Sequence, residues 1–292
     1  MTNSALEAPD SGELGDRLRA AAPAILLLLL VAGATLVPSG IDPGLRLASP
    51  DRSHVDQLRA SITRLPRGAL VLVAFDADLG TYPEIRAATR AAMADLAAHG
   101  ARLAIVSFTP EGRAIAVAER DRIARAGGAD PPADLGFVAG SEAGMVRAIA
   151  SVVPAAAAGP TVDAIRQGGG GIGAFDLVLI VSGSDISARS WVEQVGSRLP
   201  AVPLVAIAPT FLDPELEPYL RSGQLAALLA TLRDGVAYAQ AVSAGSSVDL
   251  GPIPAPLPMF VGMLAALAVL LDAGMRRLSR RTPISTRGRG DS

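Results

Sequence analysis

The chain contains no cysteine and no lysine; all 26 basic residues among its 292 are arginine. Without thiols there are no disulfides, no thiolate nucleophile and no Cys-ligated zinc or iron–sulfur centre. Without lysine there is no Schiff-base chemistry, no phosphate-loop lysine and no Ser–Lys dyad. Histidine is limited to His54 and His99, which excludes multi-histidine metal sites, and no metal ligand set is assigned. Aromatic residues are scarce, at 6 Phe, 3 Tyr and 1 Trp, and charged residues make up 18% of the chain, below the usual figure of about 25%. The net charge of −2 carries no footprint of nucleic-acid binding.

What the chain has instead is apolar residue, 50% of the total, and it is unevenly distributed. Residues 20–41 form an uncharged run that includes five consecutive leucines, Leu26 to Leu30. A helix needs about 20 such residues to cross a bilayer, so this run predicts a first transmembrane helix. Residues 250–271 form a second uncharged run, but Pro252, Pro254, Pro256 and Pro258 cannot lie inside a regular helix. The second span is therefore placed at 257–275, after a Pro/Gly linker at 246–256, with Asp272 near its end and on the same helical face as Arg276.

Arginine placement orients the pair. Arg276, Arg277, Arg280, Arg281, Arg287 and Arg289 follow the second span, whereas none lies between Arg233 and its start. The positive-inside rule assigns the basic tail, 276–292, to the cytoplasm. Two spans then put the N-terminal tail, 1–19, on the same side and residues 45–245 outside. The predicted location is a cytoplasm-facing membrane, with the lipid bilayer as one partner. Ala32-Gly33-Ala34 also fits a signal-peptide cleavage site, so retention or removal of the first span stays open; the middle segment is external in both cases.

Within 45–245, short apolar runs alternate with alanine-rich helical stretches. Strands are predicted at 69–75, 102–107, 135–138, 175–181 and 204–208, and helices at 55–65, 82–99, 111–125, 141–151, 186–199, from Pro214, and at 224–242. Residues 153–173 read as a loop. Continuous apolar strands separated by helices predict a doubly wound, mostly parallel five-stranded sheet, Rossmann-like or flavodoxin-like, flanked by the two transmembrane helices. Strand order is not legible.

Ligands in such sheets bind beyond the carboxyl ends of the strands. The residues falling there are Asp76 and Asp78, Ser107 and Thr109, Ser184 and Asp185, with Ser182 and Thr210 beside them. Asp76-Ala77-Asp78 after the first strand and Ser107 after the second resemble the first two motifs of haloacid-dehalogenase phosphohydrolases. That resemblance implies Asp76 as nucleophile, Asp78 as general acid/base, Ser107 as phosphate contact and Mg²⁺ between the carboxylates. The chain departs from the pattern at Gly80, lacks the phosphate-binding lysine, and has only Asp185 where an acidic pair is required. The alternative for Asp76 and Asp78 is that they cap the turn and the helix after it. Gly168, Gly170 and Gly173 spell GxGxxG, but before a strand rather than after one, which predicts a loop. Trp191 is expected to pack on the sheet, and Tyr219 and Gln224, at a helix–turn–helix junction, are candidate partner contacts.

Four stretches, Val73 to Ile85, Gly100 to Gly112, Asp134 to Ile149 and Pro214 to Tyr238, together resemble an uncharacterised family of bacterial proteins with two transmembrane helices and an α/β domain between them. The resemblance implies architecture and membrane location and brings no cofactor. The functional expectation is a non-enzymatic binding or scaffold module of an envelope or transport assembly, contacting other membrane or envelope proteins. The alternatives are the Mg²⁺-dependent phosphohydrolase using Asp76 and Asp78, and a membrane-anchored ligand sensor in which Asp272 acts in the second span.

Overall fold

The computed structural model describes residues 52–127, 130–183 and 188–243, all within one compact unit spanning Arg46–Ile253. The two predicted spans, the 246–256 linker and both tails lie outside the described residues. Among the described residues no helix is long and apolar enough to cross a membrane.

The elements run α1 (Arg52–Thr63), β1 (Leu70–Asp76), α2 (Tyr82–Ala98), β2 (Arg102–Ser107), α3 (Pro110–Ala126), β3 (Ala133–Phe137), α4 (Ser141–Ala150), α5 (Pro160–Gln167), β4 (Leu177–Ser182), α6 (Ala188–Trp191), β5 (Leu204–Ile207), α7 (Asp213–Arg221), β6 (Ala227–Leu229) and α8 (Leu232–Ser243). The six strands form one all-parallel sheet in the order β3-β2-β1-β4-β5-β6. This is the Rossmann order, with its direction reversing between β1 and β4.

Strand side chains alternate between the two faces of a sheet, and β1 divides accordingly. Leu72 and Ala74 join the core beneath α4, α5, α6 and α7, with Met145, Ile165, Trp191 and Leu216. Val71, Val73 and Phe75 join the opposite core beneath α1, α2, α3 and α8, with Leu58, Ala91, Ile115 and Tyr238. Every residue of β1 and β4 is buried, as a central parallel strand covered on both faces requires.

The sheet has six strands where the sequence predicts five. The stretch 224–242, expected as one helix, divides into β6 and α8. Its alanine and leucine content favours helix, but Ala227, Leu228 and Leu229 pair with Val205, Ala206 and Ile207 of β5, extending the sheet and burying all three. Thr231 then starts α8 by accepting the Asp234 N–H at 3.1 Å. The expected loop at 153–173 contains α5, opened by Gly159 and Pro160, with Val162 and Ile165 buried. Beyond α6 the backbone widens into a π-helical turn over Val192–Gly196.

Candidate functional site

The reversal of strand order puts the carboxyl ends of β1 and β4 at the centre of the edge where ligands bind in this topology. Asp76 ends β1 opposite Ser182, which ends β4. Asp76 continues the Leu72–Ala74 face, so its carboxylate points toward α6 and is fully buried. Its Oδ1 accepts the Phe108 N–H at 2.8 Å, and its Oδ2 accepts the indole Nε1–H of Trp191 at 2.8 Å. The Phe108 ring meets Trp191 edge-on, with centroids 5.5 Å apart. Burial pushes the carboxyl pKa up from 3.8 to about 6, against the opposing pull of the two N–H donors.

The neighbouring polar residues are equally engaged. The Ser182 hydroxyl oxygen accepts the Ala188 N–H at 3.0 Å, at the start of α6. Ser107, also buried, donates to the Thr109 carbonyl at 2.7 Å. The Thr109 hydroxyl oxygen caps α3 by accepting the Gly112 N–H at 3.1 Å. A Cβ on Gly112 would lie 1.9 Å from the Phe75 carbonyl oxygen, so only glycine lets the first turn of α3 sit against the end of β1. Asp78 accepts the Thr81 N–H at 2.7 Å, closing the turn into α2, and the Thr81 hydroxyl donates to the Gly183 carbonyl at 3.0 Å.

Two glutamates tie the loops of this edge together. Glu111 accepts the Leu79 N–H at 2.8 Å. Glu84, in the first turn of α2, accepts both the N–H and the hydroxyl of Thr210 at 2.8 and 2.6 Å. Held this way, Leu79 and Phe211 each stand 63% exposed. At the α1 end of the same edge, His54 Nδ1 lies 3.2 Å from Asp234 Oδ2 and Nε2 lies 3.9 Å from Glu217. His99, by contrast, serves the opposite edge, where its Nε2 meets the Leu65 carbonyl at 2.8 Å.

Asp76, Asp78, Ser107 and Thr109 are thus gathered at one edge, as the sequence predicts, but not around a common space. A carboxylate nucleophile needs a free oxygen facing its substrate, and both oxygens of Asp76 face N–H groups of the domain itself. The pair therefore does not fit a Mg²⁺ ion, which would need oxygens of Asp76 and Asp78 turned toward the same solvent. Among the described residues, no group of three or more His, Asp or Glu is placed to hold a metal. Only Asp78 follows the capping alternative, closing the turn into α2; Asp76 caps neither that turn nor α2 and instead fastens β1 to the backbone just before α3 and to α6.

Ser184 and Asp185 lie outside the described residues. Tyr219 is half-buried and donates to Glu193 at 2.9 Å, while Gln224 is exposed and accepts from the Ser222 hydroxyl at 2.9 Å. The GxGxxG glycines follow α5 and lead into the amino end of β4, away from the carboxyl edge. A hollow of about 310 Å³ opens at the amino ends of the strands, lined by Ser61, Arg64, Leu65, Asp176 and Pro203 among others; none of the described candidate residues lines it. Sequence reasoning misses the Trp191 bond to Asp76, the two glutamate ties and the His54–Asp234 contact. The first carries a signal, since a carboxylate ending a wholly apolar strand must find donors; His54 and Asp234 are 180 residues apart and carry none.

No protein family, curated protein or solved structure matches this chain.

Proposed function

We propose that the chain is a bacterial cytoplasmic-membrane protein spanning the bilayer at 20–41 and 257–275, with both termini cytoplasmic and the α/β domain outside. On this reading it belongs with the two-helix membrane proteins that its sequence resembles. The domain acts as a non-enzymatic binding module for an envelope or transport assembly. One observation carries the choice of binding over catalysis: at the edge where this topology places ligands, the central carboxylate is buried with both oxygens bonded. Ser107 and Ser182 are likewise engaged inside the domain, while large apolar side chains stand out around them. Among the described residues, a surface of that kind offers contact area, while the carboxylate and hydroxyls ending β1, β2 and β4 are engaged within the domain.

Two measurements test it. A reporter fused after Ser292 is expected to be active in the cytoplasm, with residues of the domain labelled only from outside; an externally active reporter overturns the topology. Native-level purification in mild detergent is expected to bring the same second protein repeatedly, and recovery of the chain alone overturns the binding role. Mg²⁺-dependent phosphoester hydrolysis by the full chain, abolished in Asp76→Asn, would replace this reading with the phosphohydrolase one.

A further inference from the structure

We infer that the carboxyl edge of the sheet is a docking surface, with Leu79 and Phe211 as its apolar anchors, and that its partner is a basic protein segment carrying large apolar side chains. The inference rests on the binding-module reading and names the face and the chemistry of the partner. Single exposed apolar residues are ordinary on protein surfaces; these two differ in how they are held. Leu79 leaves β1 and Phe211 leaves β5, on either side of the point where the strand order reverses. The Leu79 amide is fixed by Glu111. Thr210, adjacent to Phe211, is fixed by Glu84, five residues after Leu79. Thr81 fastens the first of these loops to Gly183 after β4. Anchors on loops already ordered lose little conformational freedom on binding, which favours affinity.

Charge selects the partner. Asp78 and Glu111 flank Leu79, Asp213 and Glu215 follow Phe211, and Glu84 lies between the two loops. Arg189 lies 3.7 Å from Glu215, and Arg86 and Arg233 stand near the starts of α2 and α8, fewer guanidiniums than the five carboxylates named. Asp213 Oδ1 is buried with no hydrogen-bond partner, and burial together with Glu217 raises the pKa of that carboxyl. Anionic lipid headgroups would meet the same carboxylates and be repelled, so the edge suits a cationic protein surface rather than a membrane.

The test uses the full chain in native membranes, with the photo-reactive residue benzoylphenylalanine placed singly at 79, at 211, or at 146 as a control. Val146, on α4, is 38% exposed and lies outside the proposed surface. Positions 79 and 211 are expected to form adducts with one and the same polypeptide, through a segment of net positive charge containing large apolar residues. Phe211→Ser should cut the yield at position 79 by at least about fivefold, and so should 0.5 M salt, which screens the charge component. Adducts to lipid alone, to a second copy of this chain, to an acidic or neutral segment, or equal yields at 146 would overturn the inference. A partner that co-purifies but never links at 79 or 211 refutes this surface alone, whereas a chain that purifies without any partner refutes the binding module itself.

Discussion

Replacing Asp76 by Asn separates two effects that the buried carboxylate combines. In the folded domain the pKa of Asp76 rises from an ordinary 3.8 to about 6. At about 1.36 kcal/mol per pH unit, this amounts to about 3 kcal/mol. The folded state holds this proton more tightly than the unfolded chain, so the slope of stability with pH is negative between the two values. The native domain is therefore favoured at pH 4, loses about 3 kcal/mol as the pH rises past 6, and changes no further from this group above about 7. Asn carries no charge, so Asp76→Asn should lack this loss. It offers one acceptor and one NH₂ group, however, where Phe108 N–H and Trp191 Nε1–H both need acceptors. One donor is left unsatisfied, costing about 1–3 kcal/mol at every pH. The variant should be less stable than the wild type at pH 4 and should equal or exceed it at pH 8. Trp191 is the chain's one tryptophan and bonds directly to the group being titrated, so its fluorescence reports urea unfolding of the detergent-solubilised full chain across a pH series. Parallel stability–pH curves for the two proteins would refute the burial argument.

Gly112→Ala drives a methyl group into the Phe75 carbonyl, 1.9 Å from the ideal Cβ position, and both partners are backbone; a loss of about 3 kcal/mol is expected, and an unchanged melting temperature by circular dichroism would contradict it. Glu119, 3% exposed, bridges Arg90 and Arg122 at 2.8 and 2.7 Å. Burial opposes its charge, but the two guanidiniums prevail and leave its pKa lowered. Glu119→Gln should therefore cost about 3 kcal/mol at pH 7, and the gap should close as the pH falls through the lowered value; a gap constant down to pH 3 in the urea series would refute the pairing. His54→Ala leaves the Asp234 carboxylate buried without its ring partner, at an expected cost of about 1–3 kcal/mol. Hydrogen exchange should quicken in α1 and the first turn of α8 while β1 stays protected; unchanged exchange in α1 would show that the contact does not hold that helix.

The core strands were legible because they are central. LVLVAF in β1 and LVLIV in β4 are apolar without interruption, and only a strand covered on both faces needs that. β2 is apolar only after the exposed Arg102, and its ends coincide with the prediction. β6 was not legible. Three residues of Ala-Leu-Leu carry no periodicity, and their conformation comes from the exposed edge of β5 that they complete. The break between β6 and α8 does have a local sign in Thr231-Leu232-Arg233-Asp234, a threonine followed three residues later by an acid. α5 has one too, in Gly159-Pro160, outweighed by the Ala/Gly-rich surroundings. Among the candidate residues, the sequence correctly placed Asp76, Asp78, Ser107 and Thr109 at the carboxyl edge, since each lies at or just beyond the end of an apolar run. It did not reveal which way their oxygens point.

Composition and pattern alone determined the class of this protein: no thiol or lysine chemistry, alternating helices and buried parallel strands, and apolar runs flanking them. These follow from local rules, because residue type, spacing and run length act within a few turns of chain. Strand order, the sixth strand and the fate of Asp76 were decided only when segments far apart in sequence met. Trp191 reaches Asp76 across 115 residues and Thr210 reaches Glu84 across 126. Whether a carboxylate at a strand end is a free reagent or a buried fastening depends on which donors the fold delivers to its two oxygens, and only long-range packing delivers them.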